Sequence, residues 1–305
     1  MKTLIIIPTL NAADIIDAQL SKFKHLSSKV SVLVIDSASE DETLEVIKRY
    51  DYEYKVIKRE AFNHAMTRNF ALFYDADYYL FLTQDALPCD DTLIEDILRP
   101  FQDPSVVVSY ARHIPYRGAD KIERFARAKN YPKESIVKTK ESIATLGIKA
   151  FFSSNSCAMY RGSYFREVGG FKDGLIMNED MEFAARAIHA DKKVAYTAEA
   201  RVYHSHMFPA RVIFMRYFDI GVFFRTNQEI VGYLKEYEAL ESAGKKQVTE
   251  ELQYLYAKDK SLLPKSLWLI AVKYVAFKLG SNYRKIPKPL RKILSLHKNW
   301  HLDKH

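Results

Sequence analysis

The sequence predicts an α/β protein built on a mostly parallel sheet. Apolar, β-branched runs alternate with amphipathic helical stretches from the first residues, and the early runs end in short polar clusters. The runs place strands near 3–9, 30–36, 54–59, 78–84 and 105–110, with helices between them near 12–26, 41–50, 63–74 and 91–101. Asn11 precedes the first helix and Ser39 or Asp41 the second, side chains that accept the orphan N–H groups of a helix start. After residue 150 the pattern changes to an extended stretch over 151–160, a Gly169-Gly170 turn, a helix over 180–190 and a strand over 193–204. Such a second half completes a substrate pocket. Beyond 208 the chain reads as helical, interrupted at Pro264, Pro287 and Pro289.

A chain of 305 residues is long enough for one large core with an appendage, and we divide it into a catalytic region 1–225 and a helical region 226–305. With 48% apolar and 28% charged residues it falls among folded proteins, not disordered ones. Cys89 and Cys157 are far apart and match no metal-binding spacing, which excludes a disulfide framework and a zinc ribbon. The apolar run Leu4 to Ile7 is too short for a signal peptide and meets Pro8, so the expected compartment is the cytoplasm.

The net charge of +8 is not spread evenly: residues 260–305 carry 11 Lys or Arg against a single acid, leaving the rest slightly acidic. That segregation excludes a nucleic-acid-binding domain face. Leu262 to Leu279 is apolar but interrupted by Lys265, Lys273 and Lys278. Each charge costs roughly 2.5–3.5 kcal/mol at a bilayer centre, so the segment is expected to lie on a membrane surface and not to span it. Trp268, Tyr274 and Phe277 would meet the interface, and Arg284, Lys285, Lys288, Arg291 and Lys292 the anionic headgroups, making 262–300 the contact region. A helical hairpin packed on the domain, or self-association into a homo-oligomer, is the alternative use of the same residues.

In open α/β sheets ligands bind at the carboxyl ends of strands. Four such ends are polar: Pro8-Thr9-Leu10-Asn11, Asp36-Ser37-Ala38-Ser39, Thr83-Gln84-Asp85-Ala86 and His204-Ser205-His206. No glycine precedes Gly118, which excludes the glycine-rich phosphate loops of dehydrogenases and P-loop kinases from the first half. A nucleotide would instead be held by side chains such as Asp36.

Ile6-Ile7-Pro8-Thr9-Leu10-Asn11, Val34 to Thr43, Thr67-Arg68-Asn69 and Asn178-Glu179-Asp180 resemble, in order, the motifs of family 2 glycosyltransferases. Phe62-Asn63-His64, Thr83 to Ala86, Asn130-Tyr131-Pro132, Ser154-Asn155 and His204-Ser205-His206 further resemble the branch that transfers rhamnose into cell-wall polysaccharides. The resemblance covers about 3–225. It implies the GT-A fold, a Rossmann-like mixed sheet flanked by helices, followed here by a basic helical tail.

For the site the resemblance implies nucleotide contacts from Thr9, Asn11, Asp36, Ser37, Arg68 and Gln84, and sugar contacts from His64, Ser154 and Asn155. It implies a Mn2+ or Mg2+ ion at Asp85, with His204 or His206 as an added ligand. The family's D-x-D metal motif is reduced here to the single Asp85. A literal Asp75-Ala76-Asp77 precedes its strand and so belongs to the opposite edge. Inverting transfer needs one carboxylate to take the acceptor proton. Asp180 is the expected base, with the neighbouring Glu179 as the alternative. The implied reaction moves L-rhamnose from dTDP-β-L-rhamnose to a lipid-linked saccharide at the inner membrane face. A UDP-sugar donor, a nucleotidyltransferase and an inactive membrane scaffold are the other readings.

Overall fold

The computed structural model describes residues 1–24, 30–236 and 242–300. Its first half runs β1 (Thr3–Thr9), α1 (Ala13–Ser21), β2 (Val30–Asp36), α2 (Thr43–Lys48), β3 (Glu53–Val56), α3 (His64–Arg68), β4 (Tyr78–Leu82), β5 (Leu87–Pro88) and α4 (Leu93–Leu98). Next come β6 (Val106–Ile114), α5 (Lys121–Asn130), β7 (Ile136–Lys138), α6 (Ser142–Leu146), β8 (Cys157–Arg161), α7 (Gly162–Glu167), α8 (Glu179–His189) and β9 (Lys193–Tyr203). Helices α9 (Ala210–Thr226), α10 (Gln228–Glu236), α11 (Ser242–Lys258), α12 (Leu263–Ser281) and α13 (Lys288–Leu294) follow.

The strands form one sheet in the order β3-β2-β1-β4-β8-β6-β9-β5, with β7 also paired to β9. β3, β2, β1 and β4 are mutually parallel, as their apolar runs predict. β8 enters between β4 and β6 antiparallel to both, so the sheet is mixed. Along β1, Leu4 and Ile6 face one core and Ile5 and Ile7 the other, the period-2 alternation of a strand covered on both sides. Helices α1, α2 and α4 cover the second face through Ile16, Ile47 and Ile97. The first face is packed by Phe165, Phe183, Phe218 and Val222.

Several expectations shift for local reasons. Asn11 does not cap α1: its backbone is left-handed (φ 48°) and its side chain accepts from Glu40 N–H. The loop after β2 caps α1 instead, Thr43 accepting from Ala12 N–H at 2.7 Å and Asp41 from Ala13 N–H at 3.2 Å. Two strands and two helices also change length. The stretch 151–160 is extended only from Cys157, because Gly147–Phe151 forms a 3-10 turn. β6 continues to Ile114, and the helix expected over 63–74 ends at Arg68 before a second 3-10 turn. The helix expected over 12–26 ends at Ser21, and its last two residues, 25 and 26, lie outside the described residues.

The tail packs as a hairpin: Ala276 of α12 and Phe218 and Val222 of α9 share the first core, and Phe277 turns inward against Phe224. The helices meet at glycines. A Cβ on Gly280 would lie 1.9 Å from the Phe218 carbonyl oxygen, and one on Gly221 would lie 2.4 Å from that of Phe277. Gly280→Ala should therefore push the helices apart and cost about 2 kcal/mol or more, read as a lowered Tm. Gly232→Ala, which meets nothing within 4 Å, should be neutral or stabilising. Equal Tm values for the two variants would refute this account of the contact.

Candidate active site

The parallel strands deliver their carboxyl ends to one edge of the sheet. β8 delivers its amino end there too, because Leu82 pairs with Cys157 in an antiparallel register and sets Ser154 to Ser156 beside Thr83. Two adjoining clefts open at this edge. The first, of about 820 Å³, has Leu10 and Ser37 on its floor, Arg59 to His64 on one wall and Asp173 to Ile176 on another. The second, of about 600 Å³, is lined by Asp85, Arg127, Ser154, Asn155, Asp180, His206 and neighbouring groups. His64, Leu296 and His297 line both.

In the first cleft Ser37 is the predicted nucleotide residue with an open valence, its hydroxyl buried without a hydrogen-bond partner. Asp36 is fully buried beneath it. Its carboxylate accepts from Ser39 Oγ at 2.5 Å, Ser39 N at 2.9 Å and Thr9 Oγ1 at 3.2 Å, so Thr9 and Asp36 brace the floor. Gln84 turns to the backbone of Leu10, donating to its carbonyl at 3.1 Å and accepting from its N–H at 2.7 Å. Asn11 likewise ties down the loop after β2. Asp75 and Asp77 sit at the opposite edge, where Asp77 accepts from Lys2 N–H.

The second cleft gathers the predicted metal residues. Asp85 lies 3.0 Å from His206 Nε2 and 3.4 Å from His204 Nε2, and the two Nε2 atoms are 3.1 Å apart. One carboxylate oxygen and two imidazole nitrogens, all within 4.8 Å of one another, fit a divalent ion that accepts oxygen and nitrogen donors. Burial alone would raise the Asp85 pKa, but hydrogen bonds with His204 and His206 hold it well below the usual carboxylate range. Burial lowers His204, leaving a neutral ring able to ligate. Behind it, His204 Nδ1 lies 3.3 Å from His113 Nδ1, which accepts from Arg127 at 3.2 Å, and Arg127 donates to Glu123 at 2.6 Å.

Deeper in the same cleft stand the two candidate bases. Arg68 is buried and pairs with Glu179 at 3.2 Å, and Asn155 Nδ2 donates to the same carboxylate at 2.9 Å. Burial raises the Glu179 pKa, but the charges of Arg68 and His64 and the hydrogen bond from Asn155 together lower it overall. Asp180 forms no ion pair among the described residues, although the charges of Arg68 and Arg216 act on it. Its oxygens accept only from the N–H groups of Asn155 at 3.1 Å and Met181 at 2.8 Å, and burial, followed by the charge of Glu179, pushes its pKa up to about 7. His64 is held neutral by burial, down to about 4, and contacts Arg68 from the junction of the clefts.

Sequence reasoning missed Glu123, Arg127, His113 and Arg216, all of which line this cleft. The i, i+4 spacing of Glu123 and Arg127 on α5 was the one readable signal, and it marks a salt bridge as readily as a site. His113 lies mid-strand and Arg216 on a long helix, with no motif around either.

Comparison with known proteins bears on the family and fold of the chain. The chain is 36% identical over 303 residues to the O-antigen chain rhamnosyltransferase WbaN of Salmonella anatum, covering 97% of this chain and 94% of that one. It is 37% identical over 304 residues to the O-antigen chain rhamnosyltransferase RfbN of Salmonella typhimurium, covering 98% and 96%. In fold it resembles the mannosyltransferase PcManGT from Pyrobaculum calidifontis, solved in complex with GDP-Man and Mn2+, with a TM-score of 0.62 and 16% identity over 92% of this chain and 86% of that one. The sequence profile described as Glycosyl transferase family 2 matches residues 4–169. With that match, similarity to two rhamnosyltransferases over nearly the whole chain and a mixed sheet whose strand ends converge on one pair of clefts, the chain belongs to glycosyl transferase family 2 and is a glycosyltransferase of GT-A fold.

Proposed function

We propose that this enzyme transfers L-rhamnose from dTDP-β-L-rhamnose to a lipid-linked saccharide, with inversion at the anomeric carbon. The observation that carries the reaction type is Asp180, a carboxyl outside any ion pair among the described residues, with its pKa raised to about 7, in the cleft that also holds Asp85 and the two histidines. The donor sugar and the polysaccharide acceptor are read from the names of the relatives. Asp180 takes the proton of the acceptor hydroxyl as that oxygen bonds the anomeric carbon, and the bond from that carbon to the diphosphate breaks, releasing dTDP. Glu179 is a positioning residue that keeps Arg68 and Asn155 in place. Ser37 contacts the nucleotide from a floor braced by Thr9, Asp36, Gln84 and Asn11. His64, Ser154 and Asn155 border the sugar. A Mn2+ or Mg2+ ion held by Asp85, His204 and His206 would supply positive charge beside the diphosphate.

Residues 1–225 carry catalysis in this reading and 226–305 attach it to its substrate's surroundings. No helix among the described residues is long and apolar enough to cross a membrane. Trp268, Val275 and Ile293 are nevertheless exposed around an apolar groove of about 470 Å³ between α9, α12 and α13. With the surrounding Lys and Arg residues, that face supports peripheral binding at the inner leaflet through 262–294, while the rest of the expected 262–300 region turns to the first cleft.

Calorimetric titration of dTDP, UDP and GDP with Mn2+ tests the donor. A preference for dTDP of about tenfold or more is expected, which is about 1.4 kcal/mol. Preference for UDP would overturn the rhamnosyl donor while leaving the enzyme class intact.

A further inference from the structure

The outer wall of the first cleft is not made by any strand end. It is made by residues 295–300, beyond the last helix. Ser295 is fully buried with its hydroxyl on the Asp219 carboxylate, and Leu296 N–H donates to Asp219 Oδ2 at 2.9 Å. At the other end Trp300 Nε1 donates to the Gly174 carbonyl at 2.9 Å, and its ring meets the buried Tyr283 at 6.1 Å. The segment is thus tied at one end to α9 and at the other to the loop that leads into α8. Between these anchors the His297 ring stands edge-on to His64 at 5.3 Å, and Lys298 and Asn299 face the cleft.

We propose that this strap is the outer half of the donor's nucleoside-diphosphate subsite, with Trp300 and Lys298 as binding residues. The proposal rests on the reading of the first cleft as the nucleotide site. The floor offers the Ser37 hydroxyl and the backbone near Leu10, and among the described residues Arg59 is the one cation on the walls away from the strap. The strap adds what a nucleoside diphosphate needs on its other side: an aromatic ring against which a base packs, and a second cation for the diphosphate. It is also the segment, together with His64, that spans both clefts, so a donor lying with its nucleoside in one and its sugar in the other passes beneath Leu296 and His297.

The chain has two tryptophans, so Trp268→Phe leaves Trp300 as the reporter. In that background dTDP, UDP and GDP would each be titrated with Mn2+, following emission and heat together. The nucleotide that binds should shift the Trp300 emission. Lys298→Ala should weaken it about fivefold and Trp300→Leu about tenfold, a stacking-sized loss, with Mn2+ affinity in the absence of nucleotide unchanged. Lys298 is exposed, so its variant tests the idea even where Trp300→Leu disturbs folding. Heat of binding with unchanged Trp300 emission and full affinity in Lys298→Ala would overturn the strap's role. The same strap effects on UDP or GDP in place of dTDP would uphold it and sink the donor assignment. No binding by any of the three would remove the cleft's reading and the strap's with it.

Discussion

Asp180→Asn should lower kcat by about 10³-fold while leaving nucleotide affinity within a factor of two, the loss expected when a general base is removed from an otherwise intact site. The amide keeps the size of the side chain but only one of the two oxygens that accept from Asn155 N–H (Oδ2) and Met181 N–H (Oδ1), so the structural cost is confined to one backbone hydrogen bond. Glu179→Gln serves as the comparison. Its carboxylate is occupied by Arg68, so its loss should act through stability and positioning, with a smaller fall in kcat. If Glu179→Gln were the more damaging change to kcat, the assignment of the base would be reversed.

The pH dependence gives the same residue a second test. Burial and the Glu179 charge raise Asp180 to about 7, so the deprotonated base is lost below that value. Wild-type kcat/KM should fall about tenfold per pH unit below 7. The linkage to stability has the opposite direction. A carboxyl whose folded pKa lies above its unfolded value binds its proton more tightly in the native state, so its contribution is full below about 4 and is lost as pH rises toward 7. Asp180→Asn should therefore raise Tm at pH 8 relative to wild type by more than it does at pH 4. A Tm difference that does not change with pH would show that Asp180 is not strained as described.

The second large effect is expected at the ion site. Asp85→Ala should lower kcat by about 10²- to 10³-fold, and the residual activity should no longer respond to chelator, because the oxygen donor is gone and the leaving diphosphate loses its compensating charge. His206→Ala should weaken Mn2+ binding while Asp77→Ala, at the opposite edge, should leave it unchanged. Mn2+ binding followed by electron paramagnetic resonance separates these outcomes without relying on turnover. Full Mn2+ affinity in Asp85→Ala would exclude the cluster as the ion site.

Much of this was legible in the sequence because it depends on short-range pattern. The alternation of Leu4 to Ile7 and Val32 to Ile35 sets strands buried on both faces, and strands of that kind in a parallel arrangement bring Ser37 and Asp85 to one edge. The two-residue spacing of His204 and His206 after β9 pointed to one or the other as a neighbour of Asp85, and the fold brings both beside it. The basic composition of the tail and the absence of early glycines were sufficient to exclude whole classes of function.

Other features depended on contacts that no local pattern encodes. Glu179 and Asp180 are adjacent and chemically alike, and only the position of Arg68, more than a hundred residues earlier, makes one an ion-pair partner and leaves the other a strained acid. Thr9, Gln84 and Asp36 have the residue types of ligand contacts, yet their hydrogen bonds are taken up in bracing the floor of the cleft. The strap at 295–300 reaches the first cleft because α9 and α12 pack closely enough, through Gly221 and Gly280, to return the chain to Asp219. The sequence by itself determined which groups were available and at which edge of the sheet they gather, since side-chain period and chain direction are local properties. The tertiary structure alone decided which of those groups remain uncompensated and face the clefts, because burial and partner charge arise from segments distant along the chain.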